Sequence, residues 1–197
     1  MKKIQILFLS LVCLVNIAWM SKPSKDQELM QKGYQDWQAG DLTAAMNDYE
    51  NVLALKPRNI EALNLLGVIY EEVGEVKKAE EKYLTALKLN RDFLPVYLNL
   101  GLLYWNQGDL EKAIYYLQKR VERGNPKDLW TLKARKALEA IWVKQKSDEL
   151  KKSLDQTDKH SQNSDPERLN LIGRALDDIK LESNLEPKAE PMPNPHQ

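Results

Sequence analysis

The sequence predicts an all-α protein built from three helix–turn–helix repeats of 34 residues, and three observations carry that reading. Glycine recurs at this spacing twice over, as Gly40, Gly74 and Gly108 and as Gly33, Gly67 and Gly101. Alanine keeps the same period at Ala45, Ala79 and Ala113. Apolar residues follow in register, among them Leu29, Leu63 and Tyr97, then Leu42, Val76 and Leu110, and within each copy they fall at helical spacing on two segments.

Each element has its own reason. Gly40, Gly74 and Gly108 stand where the first helix of a copy ends and the chain reverses, a place for left-handed backbone. Asp41, Glu75 and Asp109 follow them and set a negative charge at the start of the second helix, where Asp also caps free amides. Gly33, Gly67 and Gly101 lie inside the first helix, where glycine costs about 1 kcal/mol against alanine. Close crossing against Ala45, Ala79 and Ala113 is the expected return.

With these residues in place, the chain resembles the tetratricopeptide repeat family. The second copy matches its pattern through Leu63, Leu66, Gly67, Tyr70, Gly74, Ala79, Tyr83 and Ala86, and the third through Tyr97, Leu100, Gly101, Tyr104, Gly108, Ala113 and Leu117. The first keeps Gly33, Gly40, Asp41, Ala45, Tyr49 and Pro57. The resemblance implies a right-handed α-solenoid whose first helices line a concave groove. Lys32 and Asp36 in the first copy, and Arg120 and Arg123 in the third, depart from the pattern at the outer edges, where a solenoid needs polar ends. A closing helix follows, with Trp130, Ala134, Ala137, Leu138 and Ile141 on one face.

The order expected along the chain is an apolar leader at 1–20, a linker at 21–25, repeats at 26–59, 60–93 and 94–127, and a capping helix at 128–145. A polar linker at 146–165, whose start can extend the capping helix through Leu150 and Leu154, an amphipathic helix at 166–182 and a Pro-rich tail at 183–197 complete it. The leader pairs Lys2 and Lys3 with an apolar run from Ile4 to Met20, which reads as an export signal, either cleaved or kept as an anchor. Export to the periplasm, or anchoring that faces out of the cytoplasm, is the expected location. The 166–182 segment carries a capping box at Ser164 and Glu167 and a stripe of Leu169, Ile172, Leu176 and Ile179. About 16 residues make a marginal helix alone, so the stripe is expected to dock: as a cap, in the groove, or on another protein.

Chemistry is limited by what is missing. From Asp26 to Gln145 there is no Ser, His or Cys, so no catalytic residue, no metal ligand set and no cofactor is expected. The 29 basic and 29 acidic residues cancel, which leaves no field to draw nucleic acid. A protein partner remains, in a groove that the resemblance lines with Met30, Tyr34 and Trp37, then Asn64, Val68 and Glu71, then Leu98, Leu102, Trp105 and Asn106. Family members that clamp a chaperone's C-terminal carboxylate use basic and Asn side chains at positions equivalent to Met30, Tyr34, Leu65, Pro95 and Asn99, of which only Asn99 is compatible. The groove therefore suits a helix or an extended apolar peptide with a basic residue. Two alternatives stand beside this adaptor reading. One is self-association through the C-terminal helix, and the other is an accessory subunit of an envelope enzyme.

Overall fold

The structure, a computed structural model, describes residues 22–158. The leader at 1–20, the 166–182 helix and the tail at 183–197 lie outside these residues. Among the described residues the regular structure is entirely helical: α1 (Lys25–Gln38), α2 (Leu42–Leu55), α3 (Ile60–Glu72), α4 (Val76–Leu89), α5 (Leu94–Asn106), α6 (Leu110–Arg123) and α7 (Leu129–Asp158). None of these helices is long and apolar enough to cross a membrane. They fall into two units, divided after Pro57.

The first unit is the α1–α2 hairpin. Gly40 turns it at φ 82°, and the Asp41 carboxylate accepts from the Ala44 amide at 2.9 Å to start α2. Gly33 sits against the Tyr49 ring, which is 1% exposed, beside the buried Ala45 and Val52. Two ion pairs tie the helices, Lys56 to Asp26 at 2.5 Å and Lys32 to Asp48 at 2.6 Å. Lys32 also meets Asp36 at 3.0 Å, so the two family departures in this copy join one polar network with Asp48.

The second unit repeats the hairpin twice and adds α7. Gly74 and Gly108 turn at φ 79°, and Asp109 caps α6 by accepting from the Lys112 amide, whereas Glu75 makes no such bond at α4. A non-glycine residue in this left-handed conformation would carry a steric cost of about 1–2 kcal/mol. Helix α3 pairs with α4 and α5 with α6; α4 bridges to α5, and α7 packs on both α6 and α5.

Three expectations need correction. The atoms closest to the interior glycines belong to Tyr49, Tyr83 and Leu117, one helical turn beyond the alanines that were expected to face them. The alanines are buried in the same layer, but the bulky side chain occupies the space that glycine leaves. Arg120 is not a polar end: it is 3% exposed, with Nη1 donating to Thr131 Oγ1 at 2.7 Å and Nη2 to Asp128 Oδ1 at 2.8 Å. A guanidinium is buried here because Thr131 of α7 and Asp128 just before it supply acceptors. Finally, the capping helix is longer than 128–145: α7 runs on to Asp158 by the extension through Leu150 and Leu154, in a sequence with no glycine or proline to stop it.

Candidate peptide-binding face

The expected groove residues of the second unit come from α3 and α5, and the register places them differently from the ends to the middle. Val68 and Leu102 share one register position and are 1% and 0% exposed, so the centre of the face is closed. Asn64 and Leu98, also sharing a position, are 2% exposed each. Toward the helix C-termini the face opens: Glu71 and Trp105 are half-buried, and Glu72 and Asn106 are exposed. On α1, in the other unit, Met30, Tyr34 and Trp37 are all half-buried. The rings of Tyr34 and Trp37 lie 5.8 Å apart at 49°, so these two anchors support each other on one helix.

Two polar links on the α3 side were not read from the sequence. Asn99 Nδ2 donates to Asn64 Oδ1 at 3.0 Å, a buried bond that joins α5 to α3. The signal was present: the two asparagines interrupt apolar helices 35 residues apart, one out of step with the 34-residue period, so they face each other instead of repeating a position. This also removes the one residue compatible with a carboxylate clamp, since the Asn99 amide already serves the scaffold.

The second link is Tyr83 Oη donating to Glu71 Oε1 at 2.6 Å. Burial pushes the Glu71 carboxyl up to about 7; the phenol's hydrogen bond pulls it down in part, and the neighbouring Glu72 charge raises it. Tyr83 is itself held well above its usual range by burial and by the Glu71 charge. Above about pH 7 the carboxylate carries a charge that only the Tyr83 hydrogen bond offsets, and it gains from an added cation. Next to it, α4 and α6 meet α5 through Tyr104, whose hydroxyl donates to Glu80 at 2.5 Å and whose ring stacks on Tyr116 with centroids 5.5 Å apart. These contacts make the back of the face rigid.

Among the described residues, no three His, Cys, Asp or Glu side chains gather closely enough to hold a metal ion. What the face offers is an apolar centre with acidic, aromatic and amide groups at one end.

Models of the TPR and tetratricopeptide repeat match residues 33–74, 60–93 and 94–123. Together they span residues 33–123, which resemble tetratricopeptide repeats in sequence as they do in fold. Sequence relatives agree over short spans. An uncharacterized protein, ycf37, of Pyropia yezoensis is 45% identical over 58 residues, which is 29% of this chain and 33% of that protein. The BBSome complex member BBS4 of Mus musculus is 36% identical over 83 residues, 42% of this chain and 16% of that protein. The matched spans thus cover a third or less of these relatives' own length.

Solved structures share the fold at lower identity. The first tetratricopeptide domain of Spaghetti (RPAP3), bound to the HSP90 peptide SRMEEVD, superposes with a TM-score of 0.54 at 23% identity, over 59% of this chain and 95% of that one. The Sgt2 domain of Aspergillus fumigatus gives 0.55 at 19%, over 75% and 91%, and MamA gives 0.55 at 18%, over 86% and 87%. Tetratricopeptide repeats mediate protein–protein interaction and are typically not catalytic, and here they put the candidate residues on the first helix of each pair.

Proposed function

We propose that this chain is a nonenzymatic adaptor that holds a peptide or short helix of another protein on its α3–α5 face. The observation that carries this reading is the composition of the α3–α5 face: Val68 and Leu102 at its centre, and Glu71, Glu72, Trp105 and Asn106 at its open end. With the centre closed, the half-buried Trp105 is the apolar group left for a partner side chain, and a Lys or Arg fits the raised carboxyl of Glu71. The peptide-bound RPAP3 domain shares the fold. Its ligand, SRMEEVD, carries three acidic residues, whereas the acidic end of the face here favours the opposite charge.

The apolar leader supports export, and assembly of an envelope or surface structure is the process we assign to the adaptor. Affinity capture from envelope extracts tests both parts, with the native chain compared against a Trp37→Ala/Trp105→Ala variant. The native chain is expected to recover a defined protein that the variant loses. Recovery of the same proteins by both would remove the groove assignment, and recovery of cytosolic proteins alone would remove the envelope.

A further inference from the structure

We propose that residues 166–182 of this same chain occupy the α3–α5–α7 face, so that a partner gains the groove by displacing them. The proposal rests on that face being a docking surface, and it names the resident occupant.

The burial pattern points to an occupant. Val68 and Leu102 stand about 100° round their helices from Gly67 and Gly101, the sides that press on Tyr83 and Leu117, yet they are 1% and 0% exposed. On α7, Thr131 faces α6 by bonding Arg120, and Ala140 lies about 180° round the helix from it. Ala140 is nevertheless 9% exposed, with Val143 beside it at 7%. These residues make an apolar strip across α3, α5 and α7 that is closed to solvent.

Length fits. Three helices abreast at about 9 Å spacing make a strip of about 18 Å, and a helical stripe from Leu169 to Ile179 is about 15 Å long. From Val143, α7 climbs about 22 Å to its end at Asp158, and residues 159–165 span at most about 24 Å when extended. That reach is just sufficient to bring Pro166 back to the α7 edge and fixes the direction, from α7 toward α3.

Charge fits the same direction. Asp165 and Glu167 begin at the α7 edge, where Lys136 and Lys144 are exposed. Lys180, one turn beyond Leu176 on the apolar side of the stripe, arrives at α3, where Glu71 and Glu72 stand. The segment thus supplies the apolar side chains and the cation that the proposed partner would have to supply in its place.

Hydrogen exchange on the full chain in mild detergent, with no partner added, tests this. Amides of residues 169–180 are expected to exchange at least tenfold more slowly than random coil. An Ile172→Asp/Leu176→Asp variant should abolish that protection, and Leu171→Asp, on the other side of the stripe, should keep it. Random-coil exchange in the native chain, or protection that survives the double variant, overturns the proposal. Native mass spectrometry separates the two sources of the segment: a monomer supports the intrachain seat, and a dimer that dissociates in the double variant overturns it in favour of exchange between copies. Because no partner enters these measurements, their failure leaves the capture result with Trp37 and Trp105 standing, and a failed capture leaves them standing.

Discussion

Tyr83 Oη on α4 donates to Glu71 Oε1 on α3 across 2.6 Å, so a carboxyl at the edge of the candidate face is anchored from behind by the hairpin's own core tyrosine. Burial lifts that carboxyl from its usual 4.5 to about 7. The sign follows. Between these two values the folded chain keeps a proton that the unfolded chain has released, so stability is full below about pH 4.5 and declines as pH rises through 7. The size is at most about 3 kcal/mol. Urea unfolding at pH 5 and pH 8 should show this loss in the native chain and little of it in Glu71→Gln, which retains an acceptor for Tyr83. Equal pH dependence in both would show that Glu71 is not the group responsible.

Interior glycines should differ in how far they tolerate a methyl group. A Cβ at Gly67 would lie 2.3–2.8 Å from three ring atoms of Tyr83, whereas at Gly33 the Tyr49 ring is 3.0–3.2 Å away. Overpacking costs about 1–3 kcal/mol and the helix gains about 1 kcal/mol from alanine. Gly67→Ala is therefore expected to destabilise by roughly 1–2 kcal/mol, and Gly33→Ala to be close to neutral. Thermal unfolding ranks the two, and an equal loss would mean that ring displacement is not what limits the site.

The turns and the period were legible because each depends on one residue type and a fixed spacing. A φ near 80° selects glycine at 40, 74 and 108 wherever the chain reverses. The neighbours of Gly33, Gly67 and Gly101 were not legible, since alanine and tyrosine one turn apart on the next helix satisfy the same linear pattern. Arg120 was read as solvent-facing because a buried guanidinium needs acceptors, and those acceptors sit on a helix that the repeat pattern does not describe. For the candidate face, register put Val68 and Leu102 on a shared position but carried no information about their burial.

At the α6–α7 joint, Gly124 has φ −87°, a value any residue adopts, so its role is space alone. A Cβ there would fall 1.9 Å from Arg120 Nη1, 2.2 Å from Thr131 Oγ1 and 2.8 Å from the Arg120 carbonyl oxygen. Gly124→Ala is expected to cost about 2–3 kcal/mol and to speed amide exchange in α7 while leaving α3 unchanged. In an Arg120→Ala background the same substitution should cost less, because one of the clashing groups is gone. Strict additivity of the two changes would separate Gly124 from the guanidinium.

The Asn64–Asn99 bond offers the sharpest test of how α3 and α5 are held, because both residues are 2–3% exposed and the donor and acceptor are 3.0 Å apart. Replacing Asn99 alone by Leu strands the Asn64 carbonyl in an apolar interface, at a cost of about 1–3 kcal/mol. Replacing both by Leu removes the polar pair together and lets the apolar positions on either side, Leu65 and Leu98, extend across it. The double variant is therefore expected to be more stable than Asn99→Leu, and close to the native chain. A double-mutant cycle in urea measures the coupling. If the double variant loses the sum of the two single losses, the pair contributes through its separate surroundings and not through the bond, and the register between the two repeats would have to be set by the apolar packing of Val96 and Leu103 instead.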